Sequence, residues 1–328
     1  MAQQRYHVLE RIDAGGMAEV FKANSSSLQG FEKLVAIKRI LPDLTRNERF
    51  VRMFLDEAKV SLHLNHTNCV QVFDLGLADG TYFIVMEFVD GTNLKNIIES
   101  LKSTKQQLKI EETGFIALEL CKGLAHAHNK KDQGQNHLGI VHRDVSPPNV
   151  LISLEGEVKI TDFGLAKAKS QVETTDPGIV KGKFGYLSPE AAFGEQVDAR
   201  TDVFAVGIMI WEMLTGERRF LGETDIETLQ QVRKNEHQPF TKYRNDVPPA
   251  YEAIIRKALE TDIEKRYQTA EELAMALADF LFSYGKAITN FQIAHYVRTV
   301  RQYPLPKPHT EKDAAVEEAI QQAVNRIV

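Results

Sequence analysis

The stretch VHRDVSPPNVLISLEGEVKITDFG, residues 141–164, decides the fold of this chain. Apolar residues alternate with less apolar ones on both sides of a Glu-Gly pair, which is the pattern of two short strands joined by a turn. Such a hairpin brings Asp144 and Asn149, which precede or begin its first strand, to the same end as Asp162, which follows its second. These are hard oxygen ligands of the kind that Mg²⁺ takes, usually one or two from the protein with water and phosphate oxygens completing the octahedron. The stretch therefore predicts phosphoryl-transfer chemistry.

The order of these residues resembles that of the protein kinases, in which a catalytic loop precedes a metal-binding loop. Further motifs occur in the family's order, with Ser in the last of them where the family usually has Ala. They are VAIK at 35–38, HRD at 142–144, DFG at 162–164 and SPE at 188–190. A Gly-Gly-Met turn upstream of the first motif resembles the variant that is common in bacterial, eukaryotic-like (Hanks-type) serine/threonine kinases.

The resemblance covers about residues 6–283 and implies an α+β chain with the two-lobed protein-kinase-like fold. Residues 1–88 would form a small, mainly β N-lobe and residues 89–283 a larger, mainly α C-lobe, with the nucleotide between the lobes. Residues 284–328 lie outside the resemblance and are interpreted as a C-terminal helical extension. We expect its first helix to dock back on the kinase body rather than to bind a partner or join a longer protein. For the second helix, at 315–328, these alternatives stay open.

Composition and charge describe an ordinary globular chain of 328 residues, with 43% hydrophobic residues and a formal charge of −5. This mildly acidic balance argues against a general nucleic-acid binder. Cys69 and Cys121 both lie among apolar residues, which is typical of reduced, buried thiols. No apolar run reaches membrane-spanning length and the N-terminus lacks a signal-peptide core. We therefore expect a soluble, cytoplasmic protein with no nucleic-acid partner and no membrane insertion.

The N-lobe motifs imply an ATP site. Asp13 and Ala18 occupy the outer positions of the family's Gly-x-Gly-x-x-Gly loop, so only Gly15 matches that pattern, and an ordinary hairpin turn is the alternative interpretation. In the family a hinge after the gatekeeper residue holds adenine through its backbone, at the positions of Glu87 and Val89. The residues that the resemblance assigns to the nucleotide are Ile12, Gly15, Gly16, Val20, Ala36, Lys38, Met86, Glu87 and Val89.

Lys38 ends an apolar strand, and by resemblance it steadies the nucleotide phosphates while an acidic residue on the next helix fixes it. Glu57 occupies the family position for that acid. Its neighbour Asp56 is the competing candidate, because it offers the same charge on a different face of the helix. We predict that Glu57 is the partner.

Catalysis by resemblance is positional and electrostatic. Asp144 accepts the proton of the substrate hydroxyl, while Asn149 and Asp162 hold Mg²⁺. The partner is a protein with a Ser or Thr acceptor. A phosphate on the activation segment would pair with Arg143 and order that segment, with Thr174, Thr175 and Ser170 as candidate acceptors. We also expect a homodimer for autophosphorylation in trans.

Two positions depart from the family. Serine/threonine kinases normally have Lys two residues after the catalytic Asp and Thr at a position in the activation segment, and these side chains touch. This chain has Ser146 at the first position and Lys183 at the second, so the residues look exchanged. We hypothesise that Lys183 is a catalytic residue that returns the missing ammonium group to the γ-phosphate. The alternative is that Lys183 points to solvent and turnover is slow.

Two further parts of the C-lobe follow from the pattern. Segment 202–214 is apolar almost all round, which predicts a buried central helix. By resemblance, Asp202 near its start braces the backbone of the catalytic loop, and Arg266 corresponds to the arginine that pairs with Glu190.

Rival functions stay open at this point. A pseudokinase that acts as a nucleotide-binding signalling scaffold is favoured by Ser146 and the thin glycine loop, and disfavoured by the presence of all the other catalytic residues. Phosphotransfer to a small molecule is disfavoured by the complete activation segment. Pro148 stands where tyrosine kinases place an arginine, which favours serine/threonine specificity.

Overall fold

The computed structural model describes residues 6–26, 32–78, 80–163 and 183–302. Within these ranges the chain divides into two compact units. The smaller unit takes residues 6–62 and 71–88, and the larger takes residues 63–70 and 89–302, apart from the same gaps. The smaller unit is rich in strands and the larger in helices, so the α+β, two-lobed fold predicted from the sequence is correct.

The smaller unit is a five-stranded antiparallel sheet in the order β1-β2-β3-β5-β4 with one α-helix. Its first three strands form a meander, and β5 pairs with β3 and β4. The elements are β1 (Tyr6–Ala14), β2 (Ala18–Ser26), β3 (Glu32–Ile40), α1 (Glu48–Leu62), β4 (Val72–Ala78) and β5 (Thr81–Glu87).

Alternation along β3 sorts its side chains between two cores. Val35 and Ile37 belong to a buried cluster that also includes Phe21 and Val85. Ile40 points the other way and packs with the buried residues Phe54 and Ala58 of α1 and with Ile84. Lys38 is two residues before Ile40, so the pleat places it on the face that α1 covers.

The larger unit contains eight described helices and one three-stranded sheet in the order β6-β7-β8. Helix α3 lies at its centre and packs against α5, α8 and strand β8. The elements are β6 (Gly91–Asn93), α2 (Leu94–Ser103), α3 (Ile110–His128), β7 (Val150–Ser153), β8 (Val158–Ile160), α4 (Pro189–Phe193), α5 (Arg200–Thr215), α6 (Asp225–Lys234), α7 (Pro249–Ala258), α8 (Ala270–Tyr284) and α9 (Asn290–Gln302).

The hairpin predicted from residues 150–160 is present. Val150 pairs with Ile160 and Ile152 with Val158 in the antiparallel ladder β7-β8. Gly156 turns the chain with φ +82°, a conformation that glycine adopts without strain. At the end of β8, the Ile160 amide donates to the carbonyl of Asn68 at 2.9 Å, which fixes the end of the hairpin to the segment after α1.

Helix α5 is buried along almost its whole length, as predicted for a central helix, with every residue from Thr201 to Thr215 buried. Both cysteines are free and buried, in agreement with the sequence analysis. None of the described helices is both long and apolar enough to cross a membrane.

Helix α9 follows the kinase-like region and packs against α2, β6 and β7. The spacing of Phe291, Ala294, Val297 and Val300 predicts one apolar stripe. The last three are buried, but Phe291 is exposed and Ile293 lies in the buried face instead. The Tyr296 hydroxyl donates to Glu112 at 2.6 Å. This helix therefore lies on the larger unit. The second predicted helix, at 315–328, lies outside the described residues.

Candidate active site

In the smaller unit, Lys38 Nζ lies 2.7 Å from Glu57 Oε1, and both side chains are buried. The competing candidate Asp56 is exposed and lies 3.6 Å from Lys59, its neighbour on the same helix. Glu57 rather than Asp56 thus faces Lys38. A buried ammonium held by a carboxylate is fixed in position, which is what a group that orients phosphates requires.

The strands of the smaller unit bring other predicted nucleotide residues opposite one another. Val20 pairs with Lys38, and Ala36 pairs with Met86, in adjacent strands. Met86 is buried, and β5 ends at the next residue, where the hinge was predicted. The amide of Glu87 already donates to the Gln71 carbonyl at 2.8 Å, so that amide is not available to a nucleotide.

The glycine turn joins β1 to β2. The Gly15 amide donates to the Ala18 carbonyl at 2.9 Å. A Cβ added at Gly15 would meet that carbonyl oxygen at 3.7 Å, an ordinary contact, so the turn itself does not require glycine at this position. Ile12 and Gly16 are exposed and Val20 is half-buried. The local geometry therefore adds no support for a nucleotide-binding role of this glycine turn.

In the larger unit, Asp202 organises the catalytic loop from the start of α5. Its Oδ2 accepts from the His142 amide and its Oδ1 from the Arg143 amide, both at 2.8 Å. Nε2 of His128, in the last turn of α3, lies 2.8 Å from Oδ2. Burial alone would raise the pKa of Asp202, but the hydrogen bond and charge of His128 outweigh it and lower this pKa. The carboxylate stays ionised and fixes the two residues that precede Asp144.

His142 links the catalytic loop to the metal loop. Its Nδ1 accepts from the Asp144 amide at 3.2 Å, and its Nε2 lies 2.9 Å from the Thr161 carbonyl. Because Nδ1 accepts, the ring proton is assigned to Nε2, which donates to Thr161. The ring also packs on Phe163, with the centroids 4.6 Å apart. One buried imidazole thus ties the backbone of Asp144 to the residue before Asp162.

Asn149 and Asp162 are the predicted Mg²⁺ ligands. Asn149 Nδ2 donates to the Asp144 carbonyl at 2.8 Å, and the Asn149 carbonyl accepts from the Thr161 amide at 3.0 Å. The amide nitrogen is therefore used as a donor, and Oδ1 is the atom that suits a cation. Asp162 has φ +65°, which is uncommon for a residue with a side chain. An amide oxygen with one carboxylate is a donor set that fits Mg²⁺.

Arg266 pairs with Glu190 in the larger unit, as the resemblance implied. Arg266 donates to both carboxylate oxygens of Glu190, at 2.8 and 3.1 Å, and is almost completely buried. Burial raises the pKa of Glu190, but the two hydrogen bonds and the charge of Arg266 outweigh it, so the pKa is lowered overall. Glu190 lies in the first turn of α4, capped by Ser188.

The position of Lys183 is described for its backbone only, which begins a short 3₁₀ turn ending at Tyr186. Ser146 is buried, and its hydroxyl lies 3.4 Å from the Asp144 carbonyl. The predicted phosphate acceptors Thr174, Thr175 and Ser170 lie outside the described residues.

Sequence reasoning missed two polar residues of the larger unit, His128 and Glu212. His128 lies in the last turn of α3, and nothing in its spacing indicated that Asp202 would be its partner. Glu212 stands in an apolar helix, which was a visible signal, but its partners were not predictable. The Tyr186 hydroxyl donates to Glu212 at 2.6 Å, and Arg218 Nε lies 2.9 Å from the same carboxylate.

Residues 6–277 match the family model for the protein kinase domain. The chain belongs to the protein kinase family. Members of this family transfer a phosphoryl group from ATP to proteins with the help of Mg²⁺. The ordered motifs that suggested the family from the sequence thus led to the correct assignment.

Curated relatives carry two different specificities in their names. The tyrosine-protein kinase MasK of Myxococcus xanthus is 40% identical over 84% of this chain and 43% of its own length. The serine/threonine-protein kinase PrkC of Bacillus subtilis is 37% identical over 82% and 39%. PknB of Mycolicibacterium smegmatis, also a serine/threonine-protein kinase, is 36% identical over 82% and 42%. This chain therefore spans about two fifths of the length of these relatives.

A solved structure has the same fold. The kinase domain of Mycobacterium tuberculosis PknI superimposes with a TM-score of 0.61 at 23% identity, covering 84% of this chain and 95% of that one. A point mutant of the same domain gives a TM-score of 0.62 at 24% identity over the same shares of the two chains.

Proposed function

We propose that this chain is an active, ATP-dependent protein kinase that transfers the γ-phosphate to Ser or Thr hydroxyls of proteins. The observation that carries the proposal is the fixed catalytic loop. Asp202 accepts from the backbone amides of His142 and Arg143, the two residues before Asp144. The side chain of Asn149 donates to the backbone carbonyl of Asp144 itself. The predicted base and the predicted metal ligand are thus positioned by one hydrogen-bonded loop, which suits phosphoryl transfer.

Each side chain has a proposed role. Asp144 accepts the hydroxyl proton as the substrate oxygen attacks. Asn149 Oδ1 and the Asp162 carboxylate would hold Mg²⁺, which supplies charge neutralisation on the phosphates when bound. Lys38, fixed by Glu57 at 2.7 Å, orients the phosphates of ATP. Catalysis on this view is positioning and electrostatic stabilisation, with no covalent enzyme intermediate.

Lys183 is the proposed source of the charge that Ser146 cannot supply. Removing one preorganised donor from a transition state typically lowers kcat by about 10²–10³-fold, so an enzyme that lost this ammonium without replacement would be severely slowed. The presence of the remaining catalytic residues favours replacement over loss. It also argues against the pseudokinase alternative, for which the relatives offer no support either.

Tyrosine specificity is the second candidate, and one observation favours it. The relative named as a tyrosine-protein kinase is 40% identical, slightly more than the 36–37% of the relatives named as serine/threonine-protein kinases. Against it, Pro148 replaces the arginine that tyrosine kinases carry next to the metal-binding Asn. We favour Ser and Thr as acceptors on this local difference, because the acceptor lies close to the catalytic loop.

Compartment and self-association follow from the same proposal. ATP and reduced, buried thiols fit a cytoplasmic domain, and the protein substrate includes a second copy of the chain during autophosphorylation. Transfer between copies predicts that the initial rate per enzyme rises with enzyme concentration. A rate per enzyme that is independent of concentration would instead indicate transfer within one copy.

The deciding experiment compares the purified chain with its Asp144→Asn variant. Both are incubated with Mg²⁺ and γ-labelled ATP, and phosphoamino acids are separated after hydrolysis. Label on Ser or Thr in the wild type alone is the expected result. Label on Tyr would establish the second candidate. No label, with ATP still raising the thermal unfolding temperature, would refute the kinase proposal in favour of a nucleotide-binding scaffold.

A further inference from the structure

The polar insertion at 130–139 forms an ordered hairpin before the catalytic loop. The Leu138 amide donates to the Lys130 carbonyl at 2.9 Å, and Lys131 forms a bridge with His137. The Asp132 carboxylate accepts from the backbone amide and the side chain of Asn136, and these bonds lower its pKa. The acidic group of the insertion is thus used within the hairpin. The ammonium groups of the insertion's two lysines, Lys130 and Lys131, do not take part in these hydrogen bonds.

These lysines line an open depression of about 590 Å³ on the larger unit. Its walls come from the insertion, the end of α3, the segment 63–70 and the start of α8. The titratable side chains that line it are His66, Lys122, His126, Lys130, Lys131 and Glu271. We call it the His66–His126 depression. The proposed catalytic residues do not line it.

The two histidines stack on each other, with ring centroids 5.0 Å apart and an angle of 24° between the planes. His66 Nδ1 accepts from the Asn68 amide at 3.1 Å, so the neutral ring carries its proton on Nε2 and presents a donor there. His126 Nε2 is buried and has no hydrogen-bond partner among the described residues. A buried polar atom without a partner indicates a site that a ligand or water completes.

The surroundings of His66 disfavour its positive charge. Burial is the largest cause of its lowered pKa, and Lys122 and Lys159 act in the same direction. Glu119 acts in the opposite direction, but it is also engaged by Lys122 at 2.7 Å and by Asn68 at 2.8 Å. An anion bound in the depression would instead favour the protonated form of His66 and raise its pKa.

The surroundings of His126 also disfavour its positive charge. Burial lowers its pKa, followed by the repulsion of His66 and of Lys130. Among the lining side chains only Glu271 is acidic, against the three lysines. Lys122 is neutralised by Glu119, so Lys130 and Lys131 carry the remaining positive charge. A partner with more than one negative charge would favour protonation of both stacked imidazoles beside them.

A metal ion is a poor occupant, because the described residues contain no group of three or more His, Cys, Asp or Glu side chains arranged to hold one. A phosphate monoester is a better one. It carries about −1.5 to −2 charges at neutral pH and three acceptor oxygens, which suit imidazolium and ammonium donors.

We propose that the His66–His126 depression binds a phosphoryl group, carried by a phosphorylated protein segment or present as free phosphate. His66 Nε2 contacts the phosphate oxygens, the stacked His126 ring lies beside it, and Lys130 and Lys131 of the insertion supply the remaining charge. Binding draws protons onto both rings, so affinity rises as pH falls from 8 to 6. The site is separate from phosphoryl transfer and does not depend on the proposed catalytic activity.

The test uses the full chain with ¹⁵N-labelled histidine and follows the imidazole resonances by NMR. Inorganic phosphate and a Ser peptide in its phosphorylated and unphosphorylated forms are added at constant ionic strength. We expect saturable shifts at His66 and His126 and an increase of about one pH unit in both pKa values, as an opposite charge at hydrogen-bonding distance produces. Saturation by inorganic phosphate identifies the free anion as sufficient. Saturation by the phosphopeptide alone shows that the ligand is a phosphorylated segment.

Matched variants distinguish phosphate binding at this site from a general electrostatic attraction of the anion to surface lysines. Lys130→Ala combined with Lys131→Ala should weaken binding about five-fold or more, on the scale of two lost ion pairs. Lys95→Ala, an exposed lysine on α2, should leave it unchanged. His126→Gln should abolish the shift that phosphate induces at His66. The control His295→Gln replaces an exposed histidine on α9 and should leave that shift unchanged. Shifts that fail to saturate, or that the double lysine variant leaves intact, would overturn the proposal.

Discussion

Arg266 and Glu190 form a bidentate ion pair across 76 residues of sequence, with Nη1–Oε1 and Nη2–Oε2 distances of 2.8 and 3.1 Å. The guanidinium also donates to the carbonyls of Glu260 and Arg200. Every donor nitrogen of Arg266 is therefore used, and the group joins α4, the start of α5 and the segment before α8. This pair anchors the end of the activation segment to the helical unit.

Breaking this pair should strongly destabilise the chain. Arg266→Ala removes the cation from a buried carboxylate and a donor from two carbonyls, and removal of one partner of a buried ion pair typically costs about 3–5 kcal/mol. The free energy of unfolding from urea titration measures this loss. Arg256→Ala removes an exposed arginine from Glu252 and should cost less than about 1 kcal/mol. Equal losses in the two variants would contradict the proposed role of burial.

Asp202→Asn tests the bracing of the catalytic loop. The two oxygens of Asp202 serve the amides of His142 and Arg143 as well as His128, whereas Asn has a single oxygen and turns an NH₂ group toward one of these donors. We expect kcat to fall about 100-fold through misplacement of Asp144. The KM for ATP should change little, since Asp202 does not belong to the proposed nucleotide residues.

Asp198→Asn is the control, because this aspartate near the start of the same helix is exposed and pairs with Arg200. It should leave kcat within about two-fold, as surface pairs contribute little. Circular dichroism must show that Asp202→Asn is folded at the assay temperature. A folded variant with normal kcat would show that the loop holds its geometry without the carboxylate.

The proposed exchange between Ser146 and Lys183 is tested by reversing it. Lys183→Thr alone should lower kcat about 100-fold or more, because a preorganised charge is lost from the transition state. Ser146→Lys combined with Lys183→Thr recreates the usual family arrangement and should restore most of the rate. The measurement is initial velocity at saturating ATP. Near-normal turnover of the single variant would reject a catalytic role for Lys183.

Much of the fold was readable from the sequence because periodic burial leaves a periodic pattern. The hairpin at 150–160 and helix α5 were predicted close to their observed bounds. Three of the four residues expected in the apolar stripe of α9 are buried. The Lys38–Glu57 contact was also predictable, since the pleat of β3 and the family position of Glu57 indicate the same partner. These features depend on local spacing or on motifs that stand in a fixed order.

What the sequence did not reveal are polar pairs between distant elements. Tyr296 and Glu112 are 184 residues apart, and each is acceptable on the surface of its own helix. His128 meets Asp202 only because α3 packs against α5. Such contacts depend on how helices cross, which no local pattern specifies. His128 is the member of the catalytic-loop network that was missed for this reason.

Glu212 gives a pH-dependent prediction. Burial raises the pKa of Glu212 to about 7 from 4.5, although the charge of Arg218 acts against this. Between these values the folded chain binds more protons than the unfolded chain, so the free energy of unfolding contributed by this group falls as pH rises. Glu212→Gln removes that dependence while keeping an acceptor for Tyr186. Its stability relative to wild type should increase between pH 4.5 and 7, by at most about 3 kcal/mol, and stay level above pH 8.

Chemical denaturation at several pH values measures this difference. Glu217→Gln changes an exposed carboxylate just after the same helix and should give a nearly constant difference across the range. A constant difference for Glu212→Gln as well would mean that Arg218, with Nε at 2.9 Å, keeps the carboxylate ionised throughout.

Gly156 connects the hairpin of the catalytic loop to α9, and its replacement tests whether that helix supports the hairpin. Its φ of +82° already disfavours a side chain, and a Cβ there would lie 1.9 Å from the Asn290 carbonyl oxygen. Gly139 has φ +60° but no atom within 4 Å of its Cβ position, so it carries the backbone effect alone. Gly139→Ala should therefore cost about 1–2 kcal/mol. Gly156→Ala should cost more, and hydrogen exchange should show faster opening of residues 290–302. Equal costs with unchanged exchange would mean that α9 rests on the hairpin without supporting it.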